Sequence, residues 1–337
     1  MSDNEIWEEL EKRMDYHPEM TGIQYKEITR IAGCTIFYSF NNMGRKRGII
    51  IRVPDKSGEY RLPPSRKGFE IKYNRLVSGS SDSELIIQII KEEYNDIFST
   101  FCLDLIQILE NITETRGIID ETLLHLKKWQ DFMEKITGTH LTPNQRLGLF
   151  GELYFLSETL IPVFGIHTAI RSWYGPDRKQ QDFLLDNGMG IEIKTSASKS
   201  PVSLQISSER QLDNSGFTGL YLHYIEVVET SDKNKTLNDI VDEIRSVISR
   251  DPETARVFSL KLLECNYREK DRNIYSETGY SVSGEQTYHV TEGFPNITGR
   301  DLRDGICDVK YSVLLVALTP FRIEELIFRN IISGSNV

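Results

Sequence analysis

An acid, any residue and a lysine occur four times in this 337-residue chain, at Glu70-Ile71-Lys72, Asp177-Arg178-Lys179, Glu192-Ile193-Lys194 and Asp308-Val309-Lys310. On a strand, side chains alternate with a period of two, so such a carboxylate and amine share one face. A second carboxylate from a neighbouring strand lets the group hold a hard cation such as magnesium. That cation keeps much of its water shell and takes substrate phosphate as a further ligand. The lysine then positions or helps deprotonate a water, which is the equipment for hydrolysing a phosphodiester. In most proteins a cross-strand acid and a neighbouring lysine are only a surface ion pair, so context must select among the four.

Asp177 lies in a polar turn, and Asp308 follows Asp301 after only six residues, too few for two strands and a turn. Two candidates remain. Glu192 has Asp182 nine intervening residues upstream, and Glu70 has Asp55 fourteen upstream; by spacing alone both fit a hairpin. Ahead of Asp182, however, LFGELYFLSETL reads as a helix with Glu152 among mostly apolar neighbours. An ionised carboxylate there is costly to bury unless it is paired or held near a metal, the alternative being a helix edge that reaches solvent. Behind Lys194 come a further strand and the polar run Ser207-Ser208-Glu209-Arg210-Gln211. Ahead of Asp55 the text is only β-rich. The group Glu152, Asp182, Glu192 and Lys194 is therefore preferred. Lesser candidates are Gln211, for contact with the scissile region or a metal-bound water against a surface helix position, and Ser207 and Ser208, for phosphate contact against a helix cap.

Elements must place these residues. Residues 31–77 alternate CTIFYSF, GIIIRV and FEIKY with turn residues, as antiparallel hairpins do, and Leu85–Ile90 reads as one more strand. Apolar residues at three- and four-residue steps predict helices over Glu92–Leu109 and about Asp120–Ile136. A break at Thr137-Gly138-Thr139-His140 divides the chain into 1–137 and 138–337. Thr142 and Pro143 open a helix that should stop at Pro162. Strands are expected at Thr168–Trp173, Gln181–Leu185 and Gly190–Thr195, separated by the turns Gly175-Pro176-Asp177 and Asp186-Asn187-Gly188. Others follow at Val202–Ile206, Leu220–Val228 and Lys310–Leu318, with helices after Thr236 and Pro320. In Gly190–Thr195, Ile191 and Ile193 share one face and Glu192 and Lys194 the other. The pattern is an α/β layer behind an α+β N-terminal domain.

Composition bounds the rest. With 39% hydrophobic and 27% charged residues, the chain is neither disordered nor fibrous. The apolar run Tyr311–Leu318 is far short of a membrane helix, and the acidic start MSDNEIWEEL is no signal peptide, so a cytoplasmic protein without membrane contact is expected. Four scattered cysteines and six histidines form no metal-binding spacing, and there is no phosphate-cradling glycine loop. The net charge is −10, yet residues 41–72 hold nine basic side chains, Arg45, Lys46 and Arg47 among them, against three acids. That local +6 leaves −16 elsewhere. Such a strip can track a phosphate backbone or form a solvated hairpin face.

Glu152, Asp182 and Glu192-Ile193-Lys194, in the order helix, strand, strand, resemble the core of the PD-(D/E)XK nuclease superfamily, the restriction-endonuclease-like fold. More narrowly, TPNQRLGLFGELYFL, QQDF, IEIKTS and ISSERQL resemble a prokaryotic family of this superfamily whose genes lie near restriction and phage-defence clusters. The residue before Asp182 is Gln181, where the superfamily's name has proline. The resemblance implies a magnesium-dependent DNA endonuclease, with manganese as a substitute. Asp182, Glu192, Ile193 and Glu152 would form the metal site and Lys194 would serve the attacking water. Helicase, ATPase or methyltransferase subunits are the implied partners, and cutting both strands suits a homodimer. A module of the same fold that binds nucleic acid or a partner without catalysis is the alternative.

Overall fold

The β-rich text of the first half forms one antiparallel sheet, because its alternating apolar residues need a covered face. In a computed structural model, the described residues are 3–16, 22–54, 62–65, 68–76, 82–133, 140–175, 181–197, 203–230 and 235–334. The chain divides into two compact units, Met1–Gly138 and Thr139–Val337.

In the first unit, strands β1 (Ile23–Ile31), β2 (Cys34–Asn41), β3 (Lys46–Val53), β4 (Phe69–Arg75) and β5 (Ser83–Ile89) run in the order β1-β2-β3-β5-β4. Three helices accompany them: α1 (Asp3–Tyr16), α2 (Asn95–Leu109) and α3 (Thr115–Met133). Trp7 of α1 stacks on Tyr38 at 4.3 Å, and Phe98 and Phe101 of α2 pack against Phe69. Neither α1 nor β1 was expected from the sequence. The first is charged along most of its length, and the second alternates polar residues that leave Tyr25 exposed.

The second unit opens with α4 (Pro143–Phe155), whose start is fixed by a capping box. Thr142 Oγ1 accepts the Gln145 N–H, and the Gln145 side chain accepts the Thr142 N–H at 2.9 Å. The helix does not stop at Pro162. It passes through a π-type turn at Leu156–Leu160 into α5 (Ile161–Phe164) and ends at Gly165, φ +76°. Proline has no N–H for the carbonyl four residues back. The Arg329 guanidinium donates to that Glu158 carbonyl instead, at 3.4 Å from both terminal nitrogens. The continuous helix Pro143–Phe164 is long and apolar enough to cross a bilayer by length and composition, which the sequence reading did not anticipate. In this unit, Phe150, Leu153, Phe155, Leu156 and Leu160 of that helix are buried in the core.

The strand expected at Thr168–Trp173 is a helix, α6 (Ile166–Ser172). Ile166, Ala169, Ile170 and Trp173 follow the helical period, and three of the four are fully buried. Of Gln181–Leu185, only β6 (Phe183–Leu184) is a strand. Then come β7 (Met189–Ser196), β8 (Ser203–Ile206), β9 (Gly219–Thr230) and β10 (Lys235–Thr236). Helices α7 (Leu237–Ile248), α8 (Pro252–Glu264) and α9 (Arg272–Tyr275) precede β11 (Gly279–His289) and β12 (Tyr311–Leu314). Lys310–Leu318 is not strand throughout, since β12 gives way to α10 (Leu315–Leu318). The chain ends with β13 (Arg322–Ile323) and α11 (Glu325–Ser333).

The main sheet is ordered β10-β11-β9-β7-β6, with β13 on β11; β8 and β12 form a separate ribbon. Strand β7 pairs parallel with β9 and antiparallel with β6. Its two faces meet different cores. Ile191 and Ile193 join Leu153, Phe155 and Phe183, while Leu222 and Tyr224 of β9 face the other way, among Leu204, Ile206 and Val313. Each buried isoleucine contributes about 2 kcal/mol, so a one-residue slip of β7, which exchanges the faces, is strongly disfavoured. The residues Asp55, Lys56, Arg61, Arg66, Lys67, Pro176, Asp177, Thr137–Thr139 and Val202, which figured in the sequence reading, lie outside the described residues.

Candidate active site

The β6–β7 hairpin register pairs Phe183 with Ile191 and Leu184 with Gly190, which sets Asp182 across from Glu192. Asp182 Oδ2 accepts the Ile193 N–H at 2.7 Å, so Ile193 joins the group through its backbone while its side chain enters the core. On the opposite face, Lys194 Nζ donates to Glu192 Oε1 at 2.7 Å and to Gln211 Oε1 at 3.2 Å. Glu192 is 1% exposed and its Oε2 has no hydrogen-bond partner among the described residues.

Glu152 reaches the same group from α4. Helix and strand approach closely here because residue 151 is glycine: a Cβ on Gly151 would lie 1.8 Å from Thr195 Oγ1. Glu152 Oε2 accepts the Trp173 indole N–H at 2.7 Å and rests against Gly175, where a Cβ would come within 2.4 Å. The peptide N–H groups of Tyr174 and Gly175 both donate to the Asp182 carbonyl, at 2.7 and 2.9 Å.

Electrostatics follow from three acids and one lysine in a sheltered place. Burial, and then the charge of Asp182, push Glu152 well above the usual carboxylate range despite the indole N–H. Burial raises Asp182 too, against the pull of Lys194 and the Ile193 N–H. Glu192 is pushed up to about 8 by burial and by Asp182, with Lys194 opposing. Burial pulls the Lys194 ammonium down, but Glu192, Asp182 and Glu152 outweigh it and hold the amine above its ordinary value.

A divalent cation fits this donor set. It would relieve an excess of negative charge that one lysine does not cancel, and Glu192 Oε2 is a buried oxygen with its lone pairs unused. Among the described residues, no three His, Cys, Asp or Glu side chains close round one point. The two cross-strand acids with Glu152 nearby therefore suit an ion that keeps several waters and takes few protein ligands.

The other expected residues fall in different places. Gln211 Oε1 receives both Lys194 Nζ and the Ser207 N–H, the latter at 2.8 Å. Residues 209–212 form a turn and no helix, so the alternatives of a helix cap at Ser207 and a surface helix position at Gln211 do not apply. Sequence reasoning missed Gln181, which is 4% exposed and donates through Nε2 to the Arg210 carbonyl at 3.2 Å, tying that turn to the hairpin. It also missed Trp173 and Gly175. Arg45, Lys46 and Arg47 belong to the first unit. There Arg45 pairs with Asp15 and Glu92 at 2.7 and 3.1 Å, and Arg47 pairs with Glu11 at 2.8 Å and covers the Trp7 ring. Lys46 is half-buried between them. Arg45 and Arg47 are thus already matched by acids of their own unit. Glu70 and Lys72 pair at 2.7 Å on the solvent-facing side of β4, as a solvated ion pair does.

Fold and site together define a mixed α/β protein with Asp182, Glu192 and Lys194 at a sheet hairpin and a further acid, Glu152, delivered from a helix. The chain belongs to the family described as "Putative PD-(D/E)XK family member" (DUF4420), whose model matches residues 4–316. No curated protein and no solved structure matches it.

Proposed function

We propose that this protein is a magnesium-dependent DNA endonuclease of a prokaryotic restriction or phage-defence system, built on a restriction-endonuclease-like core of α4, β6, β7 and β9. One observation carries the reading: Asp182 and Glu192 sit across a two-strand ladder with Lys194 on the second strand and Glu152 delivered from a helix. When bound, magnesium, or manganese in its place, supplies a Lewis acid for the scissile phosphodiester and offsets the charge that develops during in-line attack by water.

Asp182 and Glu192 would hold the ion, with Glu152 nearby to orient a water. Asp182 is kept in place by the Ile193 N–H, so it need not reorganise when the ion arrives. Lys194, held above its ordinary value by the neighbouring acids, would orient the attacking water and offset phosphate charge through N–H hydrogen bonds. Gln211 holds that amine from the other side. DNA is the proposed substrate. Helicase, ATPase or methyltransferase subunits are the proposed partners, and a homodimer would serve double-strand cleavage.

The test is cleavage of methylated and unmethylated plasmid with and without magnesium, alone and with the products of neighbouring genes. Cleavage that requires magnesium and disappears in Lys194→Ala is expected. Cleavage unaffected by Lys194→Ala or by chelation refutes the assignment. The second reading, a non-catalytic binding module, draws on the absence of a closed three-carboxylate cage among the described residues. It predicts equal thermal response to manganese in wild type, Asp182→Ala and Glu192→Ala.

A further inference from the structure

Two of the three acids reach the site from separate elements, and ionised carboxylates repel one another. Something must hold them together. The segment Trp173-Tyr174-Gly175, between α6 and β6, touches both. Its indole N–H donates to Glu152 at 2.7 Å, and its two following peptide N–H groups donate to the Asp182 carbonyl. Trp173 also bridges to Phe183, next to Asp182, and packs on Phe258 of α8 with no exposed surface. Lys261 of α8 donates through Nζ to the Trp173 carbonyl and lies over the Tyr174 ring, 4.9 Å from its centroid. Phe258 thus packs on the indole while Lys261 holds the backbone behind it, and the buried indole N–H points at Glu152. Gly175 completes the seat, since any side chain there would displace Glu152 Oε2.

We infer that Trp173 is a positioning residue that seats Glu152 beside Asp182 and so sets how tightly the acid group takes a divalent cation. The inference rests on the reading of Asp182, Glu192 and Glu152 as metal-binding. Phenylalanine keeps most of the ring's packing and removes only the donor, which separates the two roles. Groups that orient metal ligands from behind typically change affinity by about 10- to 100-fold when removed.

The experiment uses the full chain and manganese alone as probe. Thermal unfolding is followed across a manganese titration for wild type, Trp173→Phe and Asp182→Ala. Trp173→Phe should need about tenfold or more manganese for half-maximal stabilisation. A merely structural tryptophan would lower all melting temperatures and leave that midpoint unchanged, which overturns the inference. Should Trp173→Phe not fold, Gly175→Ala, whose methyl pushes on the Glu152 carboxylate, must show the same rise or the inference falls.

A metal-free cycle separates the contact from the metal reading. Unfolding free energies of Trp173→Phe, Glu152→Leu, which removes the acceptor, and the double variant should be non-additive; additive values overturn the contact itself. A wild type indifferent to manganese, or matched by Asp182→Ala, overturns the metal-site reading and the positioning role with it, whatever the cycle gives.

Discussion

Lys194 lies 2.7 Å from Glu192, the same separation as Lys72 from Glu70, but the side chains are 17% and 1% exposed in the first pair against 57% and 37% in the second. Both pairs come from an identical Glu-Ile-Lys tripeptide. Water screens the Glu70 pair. The Glu192 pair sits where a charge without a partner is expensive, beside two further acids.

That contrast predicts opposite outcomes for matched substitutions. On the proposed nuclease function, Glu192→Ala should lower magnesium-dependent plasmid cleavage by about 10²-fold or more, and Glu70→Ala should leave it within about twofold. Equal losses would mean that the pair on β4 belongs to the machinery.

Removing the lysine should also unsettle the folded protein. Lys194→Met leaves Glu192 buried beside Asp182 without its cation, a change that costs about 3 kcal/mol for a buried pair. Urea unfolding at pH 8 in the presence of a chelator measures it. Stability equal to wild type would show that the pair is solvated.

The metal-free protein should lose stability as pH rises. Burial and Asp182 push Glu192 up from an ordinary 4.5 to about 8, so the folded state holds that proton more tightly than the unfolded state does. The resulting stabilisation is complete below about pH 4.5 and disappears as pH passes through about 8. Melting temperatures between pH 5 and 9 should fall less steeply in Glu192→Gln than in wild type. Parallel slopes would exclude Glu192 as the source.

Two glycines one helical turn apart on α4 should respond with opposite signs. A methyl on Gly148 meets nothing within 4 Å, and alanine is the better helix former, so Gly148→Ala should stabilise by about 0.5–1 kcal/mol. A methyl on Gly151 meets Thr195 at once, and the overpacking should cost about 1–3 kcal/mol. Chemical denaturation of the two variants decides. Equal gains would show that α4 stands further from β7 than described.

In the first unit, Arg47→Ala should destabilise by about 1–2 kcal/mol, because its guanidinium pairs with part-buried Glu11 and covers Trp7. If DNA affinity falls while stability holds, the arginine is a phosphate contact instead.

Much was legible locally. The capping threonines Thr142 and Thr236 marked the helix starts they occupy, and each belongs to a capping box in the fold. The Asp186-Asn187-Gly188 turn and the alternation of Ile191 and Ile193 gave the hairpin that faces Asp182 toward Glu192. Where propensity misled, packing explains it. Thr168–Trp173 is β-branched and aromatic in composition, yet the spacing of its apolar residues fits α6 against α8. Pro162 does not end the helix, because a π-type turn at Leu156–Leu160 carries it past the proline and Arg329, 171 residues away in the chain, donates to the Glu158 carbonyl that the proline leaves without its helical N–H.

The order of Glu152, Asp182, Glu192 and Lys194, and with it the family, was written in the chain, since hairpin register and helical period depend on neighbours a few residues apart. Sequence context favoured the second Glu-Ile-Lys, but its degree of shelter, and the support of Trp173, Gly175 and Gln181, were decided by tertiary structure alone. Burial is set by elements that are distant in sequence and close in space. Two identical tripeptides therefore acquire different electrostatics, and no local pattern marks the residues that hold the acids in place.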